Sequence, residues 1–87
     1  MFYVYILKSR VGRHLYIGCT NDLRKRARKH NQKSSVSTRP YAPWELVYYD
    51  ARLNNKDAVR RERYLKTTQG QRLIKRRLRE YFYTLNH

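Results

Sequence analysis

Phe2 to Lys8 is a run of apolar and aromatic residues, and Leu15 to Gly18 repeats the texture; Ser9-Arg10-Val11-Gly12 between them reads as a four-residue loop around a glycine. An antiparallel register pairing Lys8 with Arg13 sets Ile6 opposite Leu15 and Val4 opposite Ile17 on one face. The other face then pairs Tyr5 with Tyr16 and Tyr3 with Gly18. Thr20 or Asn21 caps a helix from Asp22 to about Asn31, with Asp22 placed to favour its N-terminus. Gln32 to Pro43, rich in Ser, Thr, Lys and Pro, reads as a mobile loop. Trp44 to Leu53 is a third strand centred on Val47, Tyr48 and Tyr49. Asn54 or Asn55 caps a second helix to about Lys66. Thr68-Gln69-Gly70-Gln71 has the shape of a capping box, and a last helix follows with Ile74, Leu78, Tyr81, Phe82 and Leu85 as its apolar stripe.

The expected fold class is α+β: a three-stranded antiparallel sheet flanked by three helices, in the order β-β-α-β-α-α. At 87 residues the chain has room for one core, so a single domain over residues 1–87 is expected. The opening uncharged run is too short for a membrane span, and the layout of a secretory signal is missing. One cysteine, Cys19, excludes an internal disulfide framework, and His14, His30 and His87 are scattered rather than paired for a metal. A cytoplasmic protein, with nucleoid association open, is the expectation.

Charge changes the picture most. Lys and Arg number 21 against 6 Asp and Glu, a net charge of +15. Such self-repulsion works against a compact fold unless a polyanion uses it, and nucleic acid is the first candidate. The cations recur in Arg24-Lys25-Arg26-Ala27-Arg28-Lys29, in Arg60-Arg61-Glu62-Arg63, and from Arg72 to Arg79. On the first helix Leu23, Ala27 and His30 form the inward stripe and Arg26 falls within it; Arg24, Lys25, Arg28 and Lys29 point outward. On the second, Ala58, Glu62 and Leu65 share a stripe. Burying an unpaired charge costs several kcal/mol, so inward Arg26 and Glu62 need partners or a task. An internal Arg26–Glu62 salt bridge, a packing role for His30 and an ordinary Tyr5–Tyr16 pair are the plain structural alternatives. Against them stands the expected convergence of all five residues on one face of one small sheet.

These residues carry a resemblance. Tyr3-Val4-Tyr5 and Tyr16-Ile17-Gly18 resemble the two segments that name the GIY-YIG nuclease superfamily. Thr20-Asn21-Asp22-Leu23 with Arg26 and His30 continues it. Glu62 in Ala58-Val59-Arg60-Arg61-Glu62-Arg63-Tyr64-Leu65-Lys66 resembles the family's metal-binding glutamate helix. The likeness is strongest to small stand-alone members of the excision-repair-like branch. It departs where Tyr3 and Val4 replace glycine and isoleucine, and where Thr67-Thr68-Gln69-Gly70-Gln71 carries no bracing asparagine.

The resemblance implies a metal-dependent endonuclease acting on DNA phosphodiester bonds, in repair or recombination, with Tyr5, Tyr16, Arg26, His30 and Glu62 as catalytic residues. Glu62 would hold one Mg²⁺ or Mn²⁺ and Tyr16 would activate or orient water. Tyr5 would hydrogen-bond within the site, Arg26 would balance charge on the phosphate, and His30 would assist proton transfer or orient Tyr16. Phosphodiester hydrolysis piles negative charge on oxygen, which is what a metal and an arginine can offset. Lys8, Arg24, Lys25, Arg28, Lys29, Arg39 and Arg61 are the candidate nucleic-acid contacts, with Lys8 and Arg39 equally readable as solvated charges. DNA is the expected partner, RNA remains open, a membrane is not expected, and a protein partner for targeting is allowed. The alternative is a non-catalytic basic nucleic-acid-binding module on the same fold.

Overall fold

The computed structural model describes residues 1–86; His87, one of the three scattered histidines, lies outside them. Strands β1 (Phe2–Ser9), β2 (Leu15–Thr20) and β3 (Trp44–Arg52) form an antiparallel sheet in the order β2-β1-β3. Helix α1 (Leu23–Asn31) follows β2. Helices α2 (Asn55–Leu65), α3 (Thr68–Arg77) and α4 (Arg79–Asn86) follow β3, giving four among the described residues. The expected last helix is thus two, parted at Leu78, whose N–H still reaches the Ile74 carbonyl. No helix among the described residues is long and apolar enough to cross a membrane.

Alternation along β1 divides the core. Val4 and Ile6 point to one face and join Ile17, Ala58, Leu65 and Ile74, so α2 and α3 cover that side. Tyr5 and Leu7 point to the other and pack with Trp44, Tyr16 and Leu23, which places α1 there. Burial of these side chains, each stabilising by roughly 1.5–3 kcal/mol, fixes which face is which.

The hairpin register is shifted by two residues from the expected one. Tyr5 faces Gly18, Ile6 faces Ile17 and Lys8 faces Leu15. An even shift keeps every side chain on its expected face, so hydrophobic pattern alone cannot separate the two registers. The turn decides: residues 10–14 form a five-residue loop closed by Ser9 N–H to the His14 carbonyl, and Lys8 Nζ donates to the carbonyls of Ser9 and Gly12.

The α2 cap is one of the two expected residues, and the α1 and α3 caps are displaced from the expected ones by one residue. Asp22 itself caps α1 by accepting from Lys25 N–H, Asn54 caps α2, and Thr67 caps α3 by accepting from Gly70 N–H in place of a capping box at Thr68. The 32–43 segment, expected to be mobile, is tied down at its far end. It carries a 3₁₀ turn at Arg39–Tyr41 and a buried Thr38. Asn31 holds Trp44 through both its N–H and its carbonyl, and Ser9 Oγ donates to the Tyr41 carbonyl.

Candidate active site

Four expected site residues meet on the α1 side of the sheet. Tyr5 Oη lies 3.0 Å from His30 Nε2 and accepts a hydrogen bond from Arg26 Nε at 3.3 Å. The Tyr16 ring stands 4.7 Å from the His30 ring and 6.1 Å from that of Tyr5. Gly18 makes this possible. A Cβ there would overlap the Tyr5 phenol and come within 2.9 Å of the Tyr16 ring, so only a glycine lets the Tyr5 ring lie across β2.

Burial sorts the four by what each can touch. Tyr5 and His30 are buried, while Tyr16 and Arg26 are half-exposed. Burial pushes the Tyr5 phenol up to about 12, against the lowering pull of the Arg26 hydrogen bond. It therefore stays protonated at neutral pH. Burial first, and the Arg26 charge second, hold His30 below the ordinary imidazole range, so the ring is neutral. One nitrogen of a neutral ring donates and the other accepts, which gives its two ends to Tyr5 and Thr38.

Thr38 is the residue that sequence reasoning missed. Its Oγ1 lies 2.8 Å from His30 Nδ1, and its carbonyl accepts from Trp44 Nε1 at 2.9 Å. Nothing in a Ser/Thr-rich loop distinguishes this threonine; the one available signal was the polar end of Trp44, which needs a partner once buried.

Glu62 is not in this cluster. It projects from α2 in the opposite layer, where Lys66 Nζ bonds its carboxylate at 3.0 Å. It lies close enough to β2 to help raise the Cys19 thiol, for which burial is the larger cause. The expectation that all five residues share one face is therefore corrected: four do, and Glu62 comes from across the sheet beside Cys19, the neighbour of Gly18. No Arg26–Glu62 salt bridge forms among the described residues, because Arg26 is turned to Tyr5.

Among the described residues no three His, Cys, Asp or Glu side chains cluster to hold a metal. The six acids nonetheless differ in availability. Asp22 caps α1, Asp50 takes Arg61 and Arg52, Glu45 takes Tyr81 and Arg10, and Asp57 pairs with Arg60. Glu80 sits in the first turn of α4. Among the described residues Glu62 is bonded by the flexible end of Lys66 alone. One such carboxylate fits a hard divalent cation that keeps most of its waters, and fits no ion requiring a full protein cage.

The expected nucleic-acid contacts divide in the same way. Arg24, Lys25, Arg28 and Lys29 are all exposed on one face of α1. Arg39 is exposed, with Nε donating to the Lys33 carbonyl. Lys8 is engaged in the hairpin turn. Arg61 is half-buried against Asp50 at 3.1 Å, with its guanidinium 5.4 Å from the Tyr64 ring centre. In the stretch where the bracing asparagine is absent, Gln71 donates to the Leu65 carbonyl and steadies the end of α2.

A three-stranded antiparallel sheet with a tyrosine from each hairpin strand, and an arginine and histidine from the following helix, defines a nuclease class. Residues 1–77 match the GIY-YIG catalytic domain, and the chain belongs to that nuclease family. It is similar to small proteins called UPF0213. It is 43% identical over 75 residues to one from Clostridium perfringens, covering 84% of this chain and 80% of that one. One from Bacillus pumilus is 41% identical over 66 residues, covering 75% and 66%, and one from Staphylococcus saprophyticus 35% over 74 residues, covering 84% and 89%. No solved structure matches the chain.

Proposed function

We propose that this protein is a divalent-metal-dependent endonuclease hydrolysing DNA phosphodiester bonds. The observation that carries the reading is the Tyr16–Arg26 pair, held half-exposed above a buried Tyr5–His30–Thr38 chain. Hydrolysis needs a water aligned on phosphorus and cationic support for the oxygens that gain charge. Arg26, fixed by Tyr5, supplies the positive charge. Tyr16 presents a hydroxyl that orients the attacking water. Tyr5, protonated at neutral pH, brackets Arg26 and His30 rather than acting as a base. His30 is wholly buried, so it acts through the tyrosines: the orienting role, not direct proton transfer to substrate, fits its position. Glu62 would hold one Mg²⁺ or Mn²⁺, which when bound supplies Lewis-acid stabilisation of the phosphate.

The test is incubation of the purified protein with single-stranded, nicked and branched DNA in the presence of Mg²⁺ or Mn²⁺. Cleavage is expected, with Tyr16→Phe and Glu62→Gln each lowering the rate by about 10²–10³. Wild-type rates in both variants would remove these residues from the chemistry. Glu62's place in the opposite layer favours a second reading, a binding module that does not cut; it predicts tight binding and no product from any of these substrates.

A further inference from the structure

A groove of about 1410 Å³ runs along the outer edge of β2, between the hairpin and helices α3 and α4. Its lining holds five cations, Lys8, Arg13, Lys66, Lys75 and Arg79, and no Asp or Glu among the described residues. Lys8 is spent on the turn and Lys66 on Glu62. Arg13 on one wall and Lys75 and Arg79 on the other are exposed and meet no acidic partner among the described residues. Between the two walls the surface is apolar and aromatic, with half-buried Leu15 from β2 and Phe82 from α4 and exposed Tyr83 and Leu85 above the core residues Ile17 and Ile74. Tyr16 borders the groove at the β2 edge, with its ring turned to the α1 face. Arg79 and Phe82 belong to α4, which lies beyond the matched span of residues 1–77. One wall is thus built partly from residues beyond the matched span.

We infer that this groove seats a single-stranded polynucleotide along the edge of β2, the strand whose other face carries Tyr16, which rests on the nuclease reading and names the form of its substrate. The chemistry of the lining selects the occupant. Facing rows of cations with a recessed apolar floor match a strand whose phosphates lie along the rim and whose unstacked bases turn inward to aromatic and apolar surface. A duplex keeps its base faces stacked on each other and offers only phosphate to such a site, leaving the floor unused. Duplex phosphates are served instead by the outward cations of α1.

The experiment measures fluorescence anisotropy of labelled dT₁₂, rU₁₂ and a 20-bp duplex with the full chain in EDTA, so that binding is read without cleavage. The double variant K75Q/R79Q removes two rim charges from exposed positions, and R13Q removes one from the opposite wall. At about 0.1 M salt K75Q/R79Q should weaken single-strand binding by about 25-fold. It should also flatten the log K against log salt slope by about 1.4, at roughly 0.7 per lost phosphate contact. R13Q should act in the same direction at about half the slope change, and duplex binding should move less than about twofold. Loss in both dT₁₂ and rU₁₂ assigns the shared sugar-phosphate chemistry, and loss in one alone assigns that nucleic acid. Unchanged single-strand binding, or an equal loss for duplex, overturns the groove assignment. Active Tyr16→Phe and Glu62→Gln enzymes would instead overturn the nuclease mechanism and leave the groove result standing.

Discussion

At the residue scale, the site depends on keeping a buried imidazole neutral. His30 is enclosed by Tyr5, Tyr16 and Thr38, with the Arg26 guanidinium nearby. Its folded pKa lies below the unfolded value of about 6.5. Between those two values the unfolded chain binds the extra proton, so stability rises with pH and is lost as pH falls through 6.5 and below. Thermal melts from pH 8 down to pH 5 should show a falling Tm, with one proton contributing at most about 1.36 kcal/mol per pH unit. His30→Gln should flatten that part of the profile; an identical slope in the variant would show that other groups cause it. The aromatic and cationic members of this site were legible in the chain, because Tyr5, Tyr16, Arg26 and His30 sit at positions whose facing follows from strand and helix periods. Thr38 was not legible. Its role comes from where a loop closes, and loop closure leaves no periodic trace.

At the element scale, what the pattern missed are the things pattern does not encode. Hydrophobic alternation gave three strands and their faces correctly, yet it is blind to a two-residue slip, which the turn between β1 and β2 settles. The break at Leu78 escaped for a similar reason, since the apolar stripe of Ile74, Leu78, Tyr81, Phe82 and Leu85 runs through it. Glu62 was assigned an inward position correctly, but helix period says only that a residue faces the sheet, never which side of the sheet its helix covers. The separate helix α4 is anchored by Phe82 against the core and by Tyr81 Oη donating to Glu45 Oε2 at 2.9 Å. Burial, then the Glu45 hydrogen bond, push the Tyr81 phenol up to about 12, so this anchor holds while the phenol is protonated. Because the folded pKa is raised, its contribution is complete below about pH 10 and is lost as pH climbs toward 12. Tyr81→Phe should lower stability at neutral pH by about 1 kcal/mol, the usual net worth of one hydrogen bond. Denaturant melts read the loss directly, and hydrogen exchange over residues 79–85 should speed up if α4 is held as described. Unchanged exchange there would mean that Phe82 alone holds the helix.

At the scale of the whole molecule, the charge of +15 stands on several surfaces of a small fold. The acids are nearly all spent on structural partners, and two of the places where unpaired cations gather are α1 and the rim of the β2 groove. That arrangement separates binding from cutting. Duplex binding should rest on the α1 face, where Arg24, Lys25, Arg28 and Lys29 form a row without an acidic neighbour in the helix. If all four meet phosphate, log K should fall against log salt with a slope of about −3.6, from roughly 0.9 per phosphate on duplex DNA. Replacing the four with glutamine should remove most of that slope. Glu62→Gln should leave it within experimental error, because Glu62 lies in the other layer and carries a charge that repels phosphate. A nuclease of the proposed kind would then show cleavage lost and salt dependence kept in Glu62→Gln. A non-catalytic binder would show the same salt dependence in both proteins with no cleavage in either. A slope in Glu62→Gln that collapses along with activity would mean that metal held at Glu62, and not the α1 cations, dominates DNA binding, and the division of labour argued from the two layers would be wrong.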